Sequence, residues 1–580
     1  MRLHLTLALI TILALVLTLR AERRHHFTFE EVQAIAKKRT ERPYAPLPDV
    51  LPPELKKLTP QQDSGIFPRE TARLWRKKGL PFQVDFYHQL ASNPQPHIAP
   101  AFNVVDSKGT HHLPYSSNLF IFQSIPAGTT FPPGIGFAGF YLRYPDMGIG
   151  SKPNSLDGFF SAMGASYFRA IAKDQVYGLS GRGIAINPAL DDPKKPEEFP
   201  AFTDWWLQEP ASTNATEVVL DALLDGPSVS GAYEFKVRPG AVTSIDIHAS
   251  LYFRADVDRL GIAPFSSMYL FGENAPDHFK DNVHPEIHDS DGAMMQSADG
   301  EWKWRPLSQS NDARTGAKGN QRQLYAFAEE NPRGFGLIQR DRDFQHYQDL
   351  GMKYNVRPSA WVMPHGDWGK GEVTLIELPS NDYNTDNVVL FWHPAQAIHK
   401  GDHLDLSYTI DFYMNDSNRP PLACTKQTLI NVPAPPPVAT VPAPAAPPAP
   451  KTNAPAATPP AKTNAAPAHP LPGNPAFVGP PAPAAKPIPV GTTPVQFLVD
   501  FAGAGIENTA ANQPPEPEVT FDPPGTYLRD VSVEKNGYDN SWRVTFTIIP
   551  FKHNVPTQLT CRLLRDKRPI TETWTYTWHQ

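Results

Sequence analysis

Residues 231–253 read GAYEFKVRPGAVTSIDIHASLYF. Aromatic and aliphatic residues alternate with polar ones on either side of Pro239-Gly240. The stretch therefore predicts two strands, 231–237 and 243–253, each turning one face to a core. Working outward, residues 82–87 and 139–144 have the same character, and Gly, Pro, Asn and Asp cluster between such runs. Few helices are expected, the best of them near 28–39 and 158–172. The first opens on Thr28 with Glu31 three residues on, a capping box. Many strands and few helices predict a mainly β chain, with residues 27–431 forming a sandwich of two large sheets.

At 580 residues the chain is too long for one ordinary domain. Its composition breaks at residue 432. From there to about residue 490 it is almost all Pro and Ala, as in APPPVATVPAPAAPPAP. Such a segment buries too little apolar area to offset its ordering entropy. It predicts an extended tether over 432–491, roughly 3.1 Å per residue, spacing two units apart. Beyond it, runs at 495–501, 526–533, 541–549, 557–564 and 571–578 predict a small immunoglobulin-like β-sandwich over 492–580.

The N-terminus pairs Arg2 with an apolar run over 3–19, followed by Arg20, Arg23 and Arg24. Residues 1–26 are read as an export signal, either cleaved or retained as a membrane anchor. No twin arginine precedes the run, so a Sec-type route to the periplasm is expected. A net charge of −6 with no basic block excludes nucleic acid as the main partner. The two cysteines, Cys424 and Cys561, are too few for a four-ligand zinc site and read as small buried hydrophobes. No cofactor and no metal are expected.

Three polar clusters carry the candidate chemistry. In His284-Pro-Glu286-Ile-His288-Asp289, Pro285 argues against the helix that a paired-histidine metal site needs. In an extended segment His284, Glu286 and His288 share one face and Asp289 takes the other. The run Asn381-Asp-Tyr383-Asn-Thr-Asp386-Asn387 is rich in turn-forming side chains, yet VVLFW follows at once, so its acids sit at a sheet rim. In Gly300-Glu-Trp302-Lys-Trp304-Arg-Pro306 both tryptophans share a face, which is either core or a sugar-stacking platform. No nucleophile elbow, P-loop or dinucleotide fingerprint occurs.

At these segments the sequence resembles the periplasmic glucan biosynthesis protein G/D family. The blocks GFAGFYLRYP, GASYFRAIAKDQVYGLSGRGIAI, HPEIHDSDG, GEWKWRPL, ENPRGFGLIQRDRDF, RPSAWVMPHGDWGKG and NTDNVVLFW carry the resemblance. It implies an exported periplasmic protein needed to make osmoregulated glucans with a β-1,2-linked backbone. It also implies a mutarotase-like β-sandwich followed by an immunoglobulin-like domain. Some members of that family are anomer-inverting endo-β-1,2-glucanases. By motif, the general acid falls on Asp386 and the general base on Asp289, which acts through a relay that includes a substrate hydroxyl. Tyr354 matches a tyrosine near that path and Arg357 a sugar contact. Trp302, Trp304, Glu286 and His288 are expected as further sugar-binding residues. The implied partners are the glucan and a membrane glucosyltransferase.

The sequence departs from the family pattern in three places. Tyr383 stands where relatives carry an acid, three residues before Asp386, which bears on the acid's pKa and its subsite. An insertion lies over 308–323. The long Pro/Ala tract predicts weaker packing between the two units than in relatives. Three functions follow from this reading: a glucanase, an accessory factor that receives glucan from a glucosyltransferase, and a binding protein without chemistry.

Overall fold

The computed structural model describes residues 27–93, 96–126, 128–274, 283–308, 322–431, 494–524, 526–550 and 555–579. The expected export signal, nearly all of the Pro/Ala tract and the body of the insertion lie outside the described residues. Among the described residues no helix is long and apolar enough to cross a membrane.

Strands dominate, as the alternation predicts. Val229–Arg238 and Val242–Phe253 pair antiparallel from Val229↔Phe253 to Arg238↔Ser244. Their inward set, Tyr233, Phe235, Val237, Ile245, Ile247 and Leu251, is at most 2% exposed. The outward face is partly covered by the helix Phe29–Arg39. Val32 and Ala36, one helical turn apart, pack there on Trp206, Leu223 and Ala232. Thr28 N donates to Glu31 Oε1 at 3.2 Å at the helix start.

This strand pair lies in a fifteen-stranded sheet that faces a ten-stranded one. The second sheet runs from Gln83–Tyr87 at one edge to Gln323–Glu330 at the other, through Leu260–Ser267, Val388–Pro394 and Lys370–Glu377. Aromatic rings join the layers: Phe140 meets Trp205 at 5.0 Å and Phe168 meets Phe235 at 5.5 Å. The helix expected over 158–172 is absent. That stretch forms strands Leu156–Met163 and Tyr167–Ala170, paired from Phe160↔Ala170 to Ala162↔Phe168. Gly164, at φ +76°, turns the chain between them. The apolar residues flanking this glycine mimic a helical stripe, but each strand gains its partner across the turn.

A smaller sandwich ends the chain. One layer is Cys424–Asn431, Val495–Ala502, Trp542–Ile549 and Tyr527–Lys535. The other, Glu516–Asp522, Thr557–Arg565 and Thr573–Trp578, is not separate. Thr573–Trp578 pairs in parallel with Trp302–Pro306, so the large sheet continues into the small sandwich.

The pairing of Cys424–Asn431 changes the meaning of the Pro/Ala tract. This strand precedes the tract, yet it pairs antiparallel with Val495–Ala502, which follows it, and Asn431 sits opposite Gln496. Both ends of the tract therefore leave the same sheet edge to edge. The expected spacer between two units is instead an insertion in a hairpin, and its length does not set the distance between the halves. Cys561 lies in the small core, Cys424 is half-buried, and neither is in a disulfide.

Candidate functional site

Asp386 sits at the end of the turn between strands Lys370–Glu377 and Val388–Pro394. Short polar side chains shape this turn, as the composition predicts. Asp382 accepts from Asn384 N at 2.9 Å and from Thr385 Oγ1 at 3.0 Å. Asn387 then pins it down. Its Oδ1 accepts from Tyr269 N at 2.8 Å, and its Nδ2 donates to Tyr269 O at 2.8 Å and Leu378 O at 3.0 Å. Asp386 is left partly exposed on a rigid base, and its carboxyl makes no ion pair or hydrogen bond among the described residues.

Asp289 follows the short strand Ile287–His288 and is 5% exposed. Its backbone N–H donates to Met268 O at 2.8 Å. Its carboxylate meets the Arg357 guanidinium in an ion pair. Arg357 is itself held against the ring of Tyr354, with its Cζ 4.4 Å from the ring centroid, and donates to Met352 O. Gly178 allows this approach: a Cβ there would lie 3.1 Å from Arg357 Cβ.

Electrostatics tie the two carboxyls together. Burial pushes Asp289 up, Arg357 counters it, and the charge of Asp386 adds to the rise. Burial likewise pushes Asp386 up, against the pull of Arg169, Arg182 and Arg357. The charge of Asp386 thus reaches Asp289, 97 positions away in sequence, and both carboxyls are acted on by Arg169 and Arg357.

Arg169 and Arg182 were not singled out from sequence. Arg169 is exposed and its Nε donates to Ser180 Oγ at 2.7 Å. Arg182 is 3% exposed, bonds Glu197 at 3.2 Å and lies over the rings of Tyr167 and Phe199. Both come from the block GASYFRAIAKDQVYGLSGRGIAI, and that membership was the only signal available.

The remaining expected residues go elsewhere. His288 is fully buried, with Nε2 3.0 Å from Glu286 Oε2 and Nδ1 2.9 Å from Gln339 Oε1. Gln339 Nε2 donates to His288 O, Tyr347 Oη and Tyr354 O, which fixes the amide and leaves Oε1 for the ring. Both ring nitrogens therefore donate. Burial opposes the charged ring, but Glu286 outweighs it and the pKa is pushed up to about 9. His288 is a buried structural cation and has no surface for a sugar. Glu286 shares its face, as the extended reading predicted, and opens on a different cavity.

Trp302 and Trp304 are 7% and 3% exposed. Trp302 stacks on Trp361, and the Trp304 ring is covered by Arg340, whose Cζ is 3.6 Å from its centroid. They form core beneath the small sandwich, so the sugar-platform alternative is set aside. The sequence could not reveal this, because the cover is assembled from Arg340, Trp361 and the distant strand Thr573–Trp578.

With this geometry in place, comparison with known proteins is informative. A family profile described as "Periplasmic glucan biosynthesis protein, MdoG" matches residues 27–439 and 479–578. The chain belongs to the MdoG family. Glucans biosynthesis protein G of Ralstonia nicotianae is 34% identical over 552 residues, 95% of either chain. The protein of the same name from Sodalis glossinidius is 35% identical over 507 residues, 87% of this chain and 84% of that one. Among solved structures, a polysaccharide lyase aligns with a TM-score of 0.15 at 8% identity, covering 69% of this chain and 39% of that chain; it carries no argument. MdoG proteins are periplasmic glucan biosynthesis proteins, and this member is mainly β.

Proposed function

We propose that this MdoG-family protein acts on the β-1,2-linked glucan backbone as an inverting endo-glucanase, with Asp386 as general acid and Asp289 as general base. The observation that carries this reading is a carboxyl pair under shared arginines in which only Asp289 is ion-paired. Asp386, raised by burial and without an ion pair among the described residues, is suited to keep a proton and deliver it to the glycosidic oxygen. Asp289 is raised by burial and by the charge of Asp386, which suits it to take up a proton, while Arg357 holds its carboxylate in place. As the C–O bond to the leaving sugar breaks, water adds to the anomeric carbon and its proton passes to Asp289. At 5% exposure Asp289 is better placed to receive that proton through a substrate hydroxyl than to touch the water itself. Arg169, exposed beside both carboxyls, and Arg357 would orient the sugar hydroxyls between them.

Tyr383 favours a second reading. It is 49% exposed on the acid's own turn, where the family pattern places a carboxylate. A slower enzyme that mainly receives and guides glucan made by a membrane glucosyltransferase fits that change. Incubating purified protein with linear β-1,2-glucan and resolving the products by chromatography separates the two. The glucanase reading expects oligosaccharide products and a loss of about 10²–10⁴-fold in rate for both Asp386→Asn and Asp289→Asn. Tight glucan binding without product in the wild type supports the accessory role.

A further inference from the structure

A cavity of about 930 Å³ lies between the large and small sandwiches, and neither Asp289 nor Asp386 lines it. Glu286, Asp341 and His346 enter it from the large side, Thr425 and Gly503 from the small side. Carboxylate oxygens of Glu286 and Asp341 and a ring nitrogen of His346 lie within 4.8 Å of one another. His288 donates to Glu286 Oε2, which orients the carboxylate and leaves Oε1 to the cavity. His346 Nδ1 is 2.5 Å from Asp341 Oδ2.

Unmet polar atoms surround this triad. Thr425 and Tyr413 line the same cavity and are 4% and 2% exposed, and their hydroxyls have no hydrogen-bond partner among the described residues. Asp291 takes the backbone N–H groups of Arg340 and Asp341 on Oδ2, while its buried Oδ1 has no partner either. Three cations of the lining are paired with carboxylates, and a fourth, Arg342, is bonded to neutral acceptors with its Nε unmet. Arg340 is paired with Glu572, Arg419 with Asp411 and Asp416, and Lys426 with Asp539. Arg342 donates from its terminal nitrogens to the carbonyls of Asn355, Arg357 and Met414 and to Ser359 Oγ. Unmet carboxylate and hydroxyl oxygens thus stand in the same cavity as the triad, with water-sized room beside them.

We propose that Glu286, Asp341 and His346 form a binding site for a divalent transition cation of the zinc or manganese kind. Two carboxylates with one imidazole suit these ions, whereas an imidazole is a poor ligand for calcium or magnesium. Small side-chain shifts bring the three atoms to the 2.0–2.2 Å typical of such ligands, and the remaining positions open on the cavity and Asp291. Glu286 lies three residues before Asp289, so the cation braces the segment that presents Asp289 against the 341–346 loop. The proposal is independent of whether the protein cleaves glucan.

The test uses the full chain, stripped with chelator, equilibrated with Zn²⁺ or Mn²⁺, desalted, and assayed for bound metal and thermal stability. Wild type should retain one equivalent of at least one of these ions and gain about 2–5 °C in Tm. His346 is half-exposed, so His346→Ala should fold and lose both the metal and the gain. His403→Ala, at a separate surface histidine beside Asp405, should keep both. No retention by the wild type overturns the proposal. So does equal retention by His346→Ala, which would mark adventitious surface binding.

Discussion

The two aspartates show how one residue type acquires two chemistries. Burial pushes both carboxyls up, but only Asp289 has a guanidinium against it that holds back the rise and fixes the carboxylate in place. A third aspartate obeys the same rule far from the site. Asp221, on strand Val218–Asp225, is fully buried, accepts from Gln208 Nε2 at 2.8 Å, and has its other oxygen unmet. Burial, with Glu234 opposite, outweighs the Gln208 hydrogen bond and Lys236 and pushes it up to about 7. The folded chain therefore takes up a proton that the unfolded chain, titrating near 3.8, releases. The stability from this group is fully present below the lower value and is lost as pH rises through about 7. Asp221→Asn keeps the Gln208 contact and removes the buried charge. Its Tm should exceed wild type by about 3 °C at pH 8, with a smaller gain at pH 5, in thermal melts across that range. Of the candidate site, Asp289 and Asp386 were legible because short motifs carry them. Arg169 and Arg182 were not, because their part depends on where two strands bring them. His288 was readable as polar and near Glu286, but not as fully buried, since part of its enclosure comes from Gln339, 51 residues away.

At the level of elements, period-two alternation was a sound guide wherever one face of a strand meets the core, as in residues 231–253. Over 158–172 it was masked by an apparent helical stripe, because a turn glycine lies inside an apolar run. It was silent about pairing, and pairing decides what the Pro/Ala tract does. Because Asn431 and Gln496 are opposite one another in the sheet, the tract closes a loop of more than 60 residues between adjacent strands. Loop closure costs about 0.6 kcal/mol for each doubling of length. Replacing residues 434–492 with a turn of a few residues should therefore stabilise the small sandwich by about 2 kcal/mol in denaturant melts. Glucan binding and any hydrolysis should be unchanged. A spacer would behave oppositely: shortening it would pull the halves against each other and lower stability.

At the scale of the whole molecule, the question is whether two sandwiches joined through one sheet unfold as one body. The parallel pair is short, Lys303↔Thr573 and Trp304↔Trp574, so hydrogen bonds alone give a weak joint. Its strength is set by Glu572, which is fully buried, bonds both terminal nitrogens of Arg340 and accepts from Thr425 N at 2.7 Å. Arg340 in turn covers Trp304 and donates its N–H to Asp291, two residues from Asp289. Removing one partner of a buried pair leaves the other charge uncompensated, at a cost of about 3–5 kcal/mol. Glu572→Gln should therefore split a single calorimetric transition into two, with the small sandwich melting first. The strands that carry Asp386 belong to the other sheet and should melt with the second transition. If Glu572→Gln still melts in one step at the wild-type temperature, the apolar contacts of Trp302, Trp304 and Trp361 with the small core hold the halves together, and the ion pair sets only their register.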